Sequence, residues 1–386
     1  MTMTADEIDA IRLKALRTLG SIQPASVESV AEPNVVFGAQ RTDAGRSLPP
    51  YYVVYFLLVD LLGFRNLGRF EKVDWSVPVG YQGKVFLVEY RKFGLGIFCV
   101  DPSANEDGAT YIRNRITKAC QAARPYFQHV AKQAMENGHL TVHNNHAQLF
   151  GRLQHLLGEY RAALKAEEKA ILKPPVVKRY PNGGMSSSWK HRTIASNRVA
   201  WLAQGAIEAF FSWSEHSLIH LAVIDGRVKD GPSLLKITMG EWKEKYKLAL
   251  DVAEQRWKAH YDVLMQVRNE HRNFTAHGAF GKGGQAFSFH SSAGAVPLSL
   301  ADDDSGQPTF VPHSILSDRD AIAAIEAWTT DLQQQKAPQW MYLESTLGSI
   351  LTFVKEYALA TSSVEEMSQF IGHMERMVDD NANMEW

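Results

Sequence analysis

Cysteine is scarce in this chain of 386 residues, which has only Cys99 and Cys120. Two thiols are too few for a disulfide framework or a cysteine-built zinc site. Both lie in apolar surroundings, as reduced core cysteines do. An excess of charge of one sign is also missing: 41 Lys and Arg against 42 Asp and Glu leave a net charge of -1. No global positive field draws the chain to nucleic acid, so any such binding needs a local basic cleft. Long hydrophobic runs are absent as well. The most apolar stretch, 51–64, is about 14 residues and contains Asp60, whereas a membrane span needs about 20. It reads as a buried helix. The opening segment MTMTADEIDAIRLKAL is polar and mixed in charge, without the apolar region of a signal peptide. The expectation is a cytoplasmic protein that does not enter membranes.

What is present describes a globular chain. It is 45% hydrophobic and 22% charged, which excludes disorder, and it is long enough for two cores. Apolar spacing predicts a helix over 5–20, a loop over 21–50 and the buried helix of 51–64. Strands follow at 75–81, 84–90 and 95–100, then helices at about 108–137 and 144–171. Pro174-Pro175 and the Gly/Ser-rich stretch 180–188 form the best linker. Beyond it, long helices are expected at 193–224 and 239–276, then a hairpin over 286–298 and helices at 318–335, 339–361 and 363–379. The fold class is α+β: a small sheet-plus-helices domain over 1–172, a linker over 173–190, and a mostly helical domain over 191–386.

The helix that starts near Met239 ends in Arg272-Asn273-Phe274-Thr275-Ala276-His277-Gly278. Arg272 and His277 are five residues apart, about 500° of helical rotation, which leaves them about 140° apart on an unbroken helix. They converge only if the helix loosens or Gly278 breaks it. Asn273, four before His277, shares its face. A guanidinium, an amide and an imidazole at one helix end suit transphosphorylation of RNA. There the substrate's own 2′-hydroxyl attacks the adjacent phosphate, so neither a protein nucleophile nor a metal is required. Imidazole moves protons near neutral pH, and guanidinium stabilises the crowded phosphorane oxygens.

RNFTAH resembles the R-x4-6-H motif of the HEPN superfamily in its form R-N-x3-H. Its context, closing the second of two long helices in a helical half, is similar too. The resemblance covers roughly 190–380. It implies a helical bundle acting as a homodimer with two motifs facing one groove, with His277 transferring protons, Arg272 stabilising phosphate and Asn273 orienting. It also implies a metal-independent RNA endonuclease without cofactor, of the toxin-like or antiphage defence kind. On that reading residues 1–172 restrain or trigger it, with an inhibitory or triggering partner in view. The alternative is a non-catalytic dimeric scaffold.

Arg268 and His271, one turn earlier, are expected to extend a groove for RNA backbone. Glu215, set among apolar residues of the first long helix, is expected to pair with Arg272 or His277. His139, His143 and His146 have a spacing superficially like that of metal ligands, but no Cys or carboxylate completes it. Asp74, Glu89 and Lys92 bring to mind a metal-dependent nuclease core, yet Glu89 and Lys92 are three apart and fall on opposite strand faces. The tryptophans at helical spacing, Trp201 among them, read as core or dimer interface, since base stacking requires exposure beside basic residues.

Overall fold

A computed structural model describes residues 3–25, 38–69, 71–272, 287–299, 309–310 and 316–382. They divide into two compact units, Met1–Asn137 with Arg376–Trp386, and Gly138–Glu375. The boundary falls well before the expected linker. The reason is that the helix over 146–171 packs along the helix that follows that linker, so both belong to one core.

The first unit opens with helix α1 (Ala5–Leu19), started by a Thr4/Glu7 capping box. Its sheet has five antiparallel strands in the order β1-β3-β4-β5-β2, namely β1 (Gln23–Pro24), β2 (Gln40–Arg41), β3 (Val73–Tyr81), β4 (Lys84–Arg91) and β5 (Gly94–Cys99). The alternation of β4 sends Phe86 and Val88 into the main core, with Leu87 on the other face beside Phe98 and Ala39. Both faces are covered, as the apolar run predicts. At Gly45 a Cβ would lie 2.3 Å from the Ile97 nitrogen, so only glycine permits this approach. Helix α2 (Tyr51–Tyr55) continues as a π-helix over Phe56–Leu61. Helix α3 (Pro102–Ala122), capped by Asp101, packs on α1, and α4 (Arg124–Glu136) follows.

The second unit is helical. A short strand β6 (Thr141–Val142) leads to α5 (His146–Ile171), and α6 (Lys190–Ile224) runs back along it. The expected linker is instead an antiparallel hairpin, β7 (Val176–Arg179) and β8 (Met185–Ser188). Helices α7 (Gly231–Met239), α8 (Trp242–Ala249) and α9 (Gln255–Val267) come next. The single helix expected over 239–276 is therefore divided. Leu250 adopts extended backbone and the Asp251 side chain accepts from the Ala253 N–H at 2.9 Å, an Asx turn that ends α8 without Gly or Pro.

Strands β9 (Phe287–Ser291), β10 (Gly294–Ser299) and β11 (Thr309–Phe310) pair antiparallel. Helices α10 (Asp318–Gln335), α11 (Ala337–Glu344), α12 (Val354–Ala360) and α13 (Val364–Ala382) close the described chain. The helix expected over 339–361 is interrupted by Thr346 at φ 63 and by β12 (Ser349–Ile350), which pairs with β6. Trp213, Trp242, Trp328, Tyr246 and Phe210 fill the centre, each fully buried. Trp242 donates to Ser214 Oγ at 2.9 Å and the Tyr246 hydroxyl to the Trp257 carbonyl at 2.9 Å, while Trp328 Nε1 has no hydrogen-bond partner among the described residues. No helix among the described residues is long and apolar enough to cross a membrane.

Candidate functional site

The motif begins where α9 ends. Over Arg268–Arg272 the helix widens into a π turn, which packs against α6. Wide turns of this kind recur at functional sites because they leave backbone groups and side chains out of the α phase. Arg272 closes the turn. Its side chain, with Asn273 and His277, lies outside the described residues.

The π turn is fixed to the entrance of α10 by a polar clamp. Glu270 Oε2 accepts from the Leu316 N–H at 2.6 Å, while its Oε1 accepts from Gln266 Nε2 at 2.9 Å. His271 Nε2 meets the Leu316 carbonyl at 2.8 Å, and its Nδ1 stands 3.4 Å from Asp318 Oδ1. Burial opposes charge on this imidazole. Asp318 and the Leu316 carbonyl outweigh it and raise the His271 pKa above 6.5. Asp318 and Asp320 also complement the N-terminal dipole of α10, which Ser317 caps. Among the described residues His271 thus meets the Leu316 carbonyl and Asp318 of its own chain. Arg268 is half-buried and forms no ion pair among the described residues. Glu270, Leu316 and Asp318 were missed in the sequence because the two halves of the clamp are far apart along the chain.

Glu215 is expected to pair with Arg272 or His277, whose side chains lie outside the described residues. Among the described residues its partner is Lys245 on α8, with Nζ 3.0 Å from Oε2. Lys245 is only 6% exposed, and a buried ammonium requires a counterion.

One turn further along α6 lies a histidine cluster. Trp213 Nε1 donates to His146 Nδ1 at 3.2 Å, and the Asn145 N–H donates to His216 Nε2 at 2.9 Å. His220 joins Ser349 Oγ at 2.7 Å and the His143 carbonyl at 3.2 Å. Burial, then the neighbouring His216, lowers the pKa of His146 to about 4; the same two causes lower His220 to about 3. Burial also lowers His216. These imidazoles are neutral structural pieces tying α5, α6 and the β6/β12 pair together. His139 and His143 flank β6 rather than joining His146 in a ligand set, and no group of three His, Cys, Asp or Glu among the described residues is placed to hold a metal ion.

In the first unit, Glu89 is buried and held by Ser76 Oγ at 2.7 Å and by Arg91 at 2.6 Å. Arg91 in turn lies over the Phe98 ring, 3.7 Å from its centroid. Asp74 pairs with Arg69 at 3.2 Å. Asp74 and Glu89 are therefore neutralised by arginines on separate partners and do not converge as a metal-binding pair.

Comparison with family models, with curated proteins and with solved structures finds no match to this chain.

Proposed function

We propose that the chain is a metal-independent RNA endonuclease of the HEPN type, in which Arg272, Asn273 and His277 act on the scissile phosphate of RNA. The observation that carries the reading is the place of the motif. Arg272 stands at the last residue of a π turn, at the end of a helix packed against α6 and α10 in a tryptophan-rich bundle. The turn ends the regular α phase at Arg272, and the chain would then yield between Arg272 and Gly278 so that the guanidinium and the imidazole converge. The imidazole would relay the proton between the 2′-hydroxyl and the leaving 5′-oxygen, and the guanidinium would stabilise the phosphorane. Two copies facing one groove, and control by the first unit or by a partner in a toxin-like or antiphage setting, complete the proposal.

The test is incubation of the full chain with labelled RNA in EDTA, beside His277→Ala and Arg272→Ala. Cleavage that persists in EDTA and disappears in both variants is expected. Cleavage that needs a divalent cation, or survives in both variants, overturns the reading.

A further inference from the structure

The α5–α6 hairpin has a charge composition that the net charge of -1 conceals. Between Glu168 and Glu208 the sequence has no Asp or Glu, but it contains Lys169, Lys173, Lys178, Arg179, Lys190, Arg192 and Arg198. The structure gathers these seven cations on one supersecondary element, formed by the end of α5, the β7/β8 hairpin and the start of α6. Every residue from Val176 through Lys190 is exposed. Arg198 is held by Glu159 at 3.3 Å, and Arg192 donates to the Lys173 carbonyl at 2.8 Å. Lys169, Lys173, Lys178, Arg179 and Lys190 form no ion pair among the described residues. A single acidic side chain near the tip would have relieved this repulsion at little cost, and none is there.

Aromatic rings accompany the cations. Tyr180 is 50% exposed, Trp189 43% and Trp201 69%. Open tryptophans beside cations suit a ligand that stacks. The Arg192 guanidinium carbon lies over the Trp189 ring, 3.5 Å from its centroid, a cation–π contact beside which a nucleobase can also stack. Ser186, Ser187 and Ser188 of β8 lie opposite Lys178, Val177 and Val176 respectively, and their hydroxyls supply donors of the right size for phosphate oxygens.

We infer that this basic, aromatic arm is a docking site for single-stranded RNA, with Lys178, Arg179 and Lys190 on phosphates and Trp189 and Trp201 stacked on bases. Single strands fit better than duplex because stacking on side chains requires bases free of their own stack. The lack of any acidic residue between Glu168 and Glu208 favours a polyanion over a second copy of this near-neutral chain. The inference rests on the proposed action on RNA and supplies the local basic site that the charge balance demands. Trp201, expected in the core or in a dimer interface, is exposed and so is not core.

The test uses the full chain carrying His277→Ala, so that RNA stays intact, and fluorescence anisotropy with a labelled single strand of about 20 nucleotides, spanning more than one stacking position. Lys178→Ala/Arg179→Ala/Lys190→Ala should weaken binding about tenfold or more at low salt. It should also reduce the slope of log K against log salt by about 2, since each lost phosphate contact on a single strand removes about 0.7. Trp201→Ala should weaken binding at all salt concentrations, and Trp201→Phe should recover most of it. The same RNA annealed as duplex should bind more weakly. Equal affinity and slope for the triple variant, or no binding by the parent, overturns the inference, as does loss of self-association in place of RNA binding. The two proposals fail separately. A triple variant that binds and cleaves like the parent removes the arm and leaves the nuclease; arm-dependent binding by a chain that never cleaves does the reverse.

Discussion

His271 Nδ1 and Asp318 Oδ1 face each other at 3.4 Å across the gap between the π turn and the first turn of α10. The pair links the last described helical residues before the motif to the helix that begins after it. Its strength follows the protonation of one imidazole. Because the folded pKa of His271 is raised, its contribution is fully present below the unfolded value near 6.5 and is lost as pH rises through the folded value. Asp318→Asn should lower stability by about 1 kcal/mol at acidic pH, a modest figure because Asp318 is partly exposed. The difference between parent and variant should shrink on the alkaline side, as checked by denaturant unfolding across pH. A penalty that is constant with pH would show that the histidine charge takes no part.

The histidine cluster carries the opposite sign. His146 and His220 have lowered pKa values, so their contribution is present above 6.5 and is lost as pH falls through about 4 and then about 3. Protonation also turns His146 Nδ1 from acceptor to donor and opposes the Trp213 N–H. At pH 4 the His146 term alone should cost on the order of 2–3 kcal/mol. Tryptophan emission should therefore report loosening of the bundle in mild acid, and His146→Gln should shift that transition to lower pH.

Glu215→Ala should cost about 2 kcal/mol, below the usual figure for a fully buried pair because Glu215 keeps some solvent. The loss arises from stranding Lys245, not from removing a bond of that value. Lys245→Met/Glu215→Leu should therefore recover most of it in thermal unfolding. Equal losses in the single and double variants would refute the account.

Glu89→Leu removes the shared partner of Ser76 and Arg91 and should destabilise the chain by about 2–3 kcal/mol. Glu89→Gln, which keeps an acceptor for Ser76, should cost less. If the carboxylate were a metal ligand instead, a divalent cation would raise the melting temperature of the parent and not of Glu89→Gln. No such shift is expected.

Periodicity made most of the helices and the three central strands legible. Leu87 with Phe86 and Val88 gave away a sheet covered on both faces, and the apolar run over 51–64 gave away α2 and its π extension. What escaped were features made by side chains acting on backbone. The Asp251 turn divides a helix whose apolar pattern runs on through it. The β7/β8 pairing joins residues whose Pro, Gly and Ser content reads as linker. The clamp at Leu316 is invisible to any local window, and the Glu215–Lys245 pair escaped because Lys245 carries no local sign of burial. The basic arm was legible in principle, as a long interval without a carboxylate, but a net charge near zero drew attention away from it.

The π turn at Arg268–Arg272 has one last consequence, for the phase of the chain. A π turn accommodates one residue more than the α-helix allows, so Arg272 at its end is rotated by about 100° relative to an uninterrupted helix. Deleting one residue together with the bulge would leave Arg272 facing as it does, whereas regularising the turn with no deletion would move Arg272 around the helix by that angle. The bundle core up to Val267 would keep its packing, and the motif would face a different direction. One residue, silent in composition and in hydropathy, sets which way the candidate site looks.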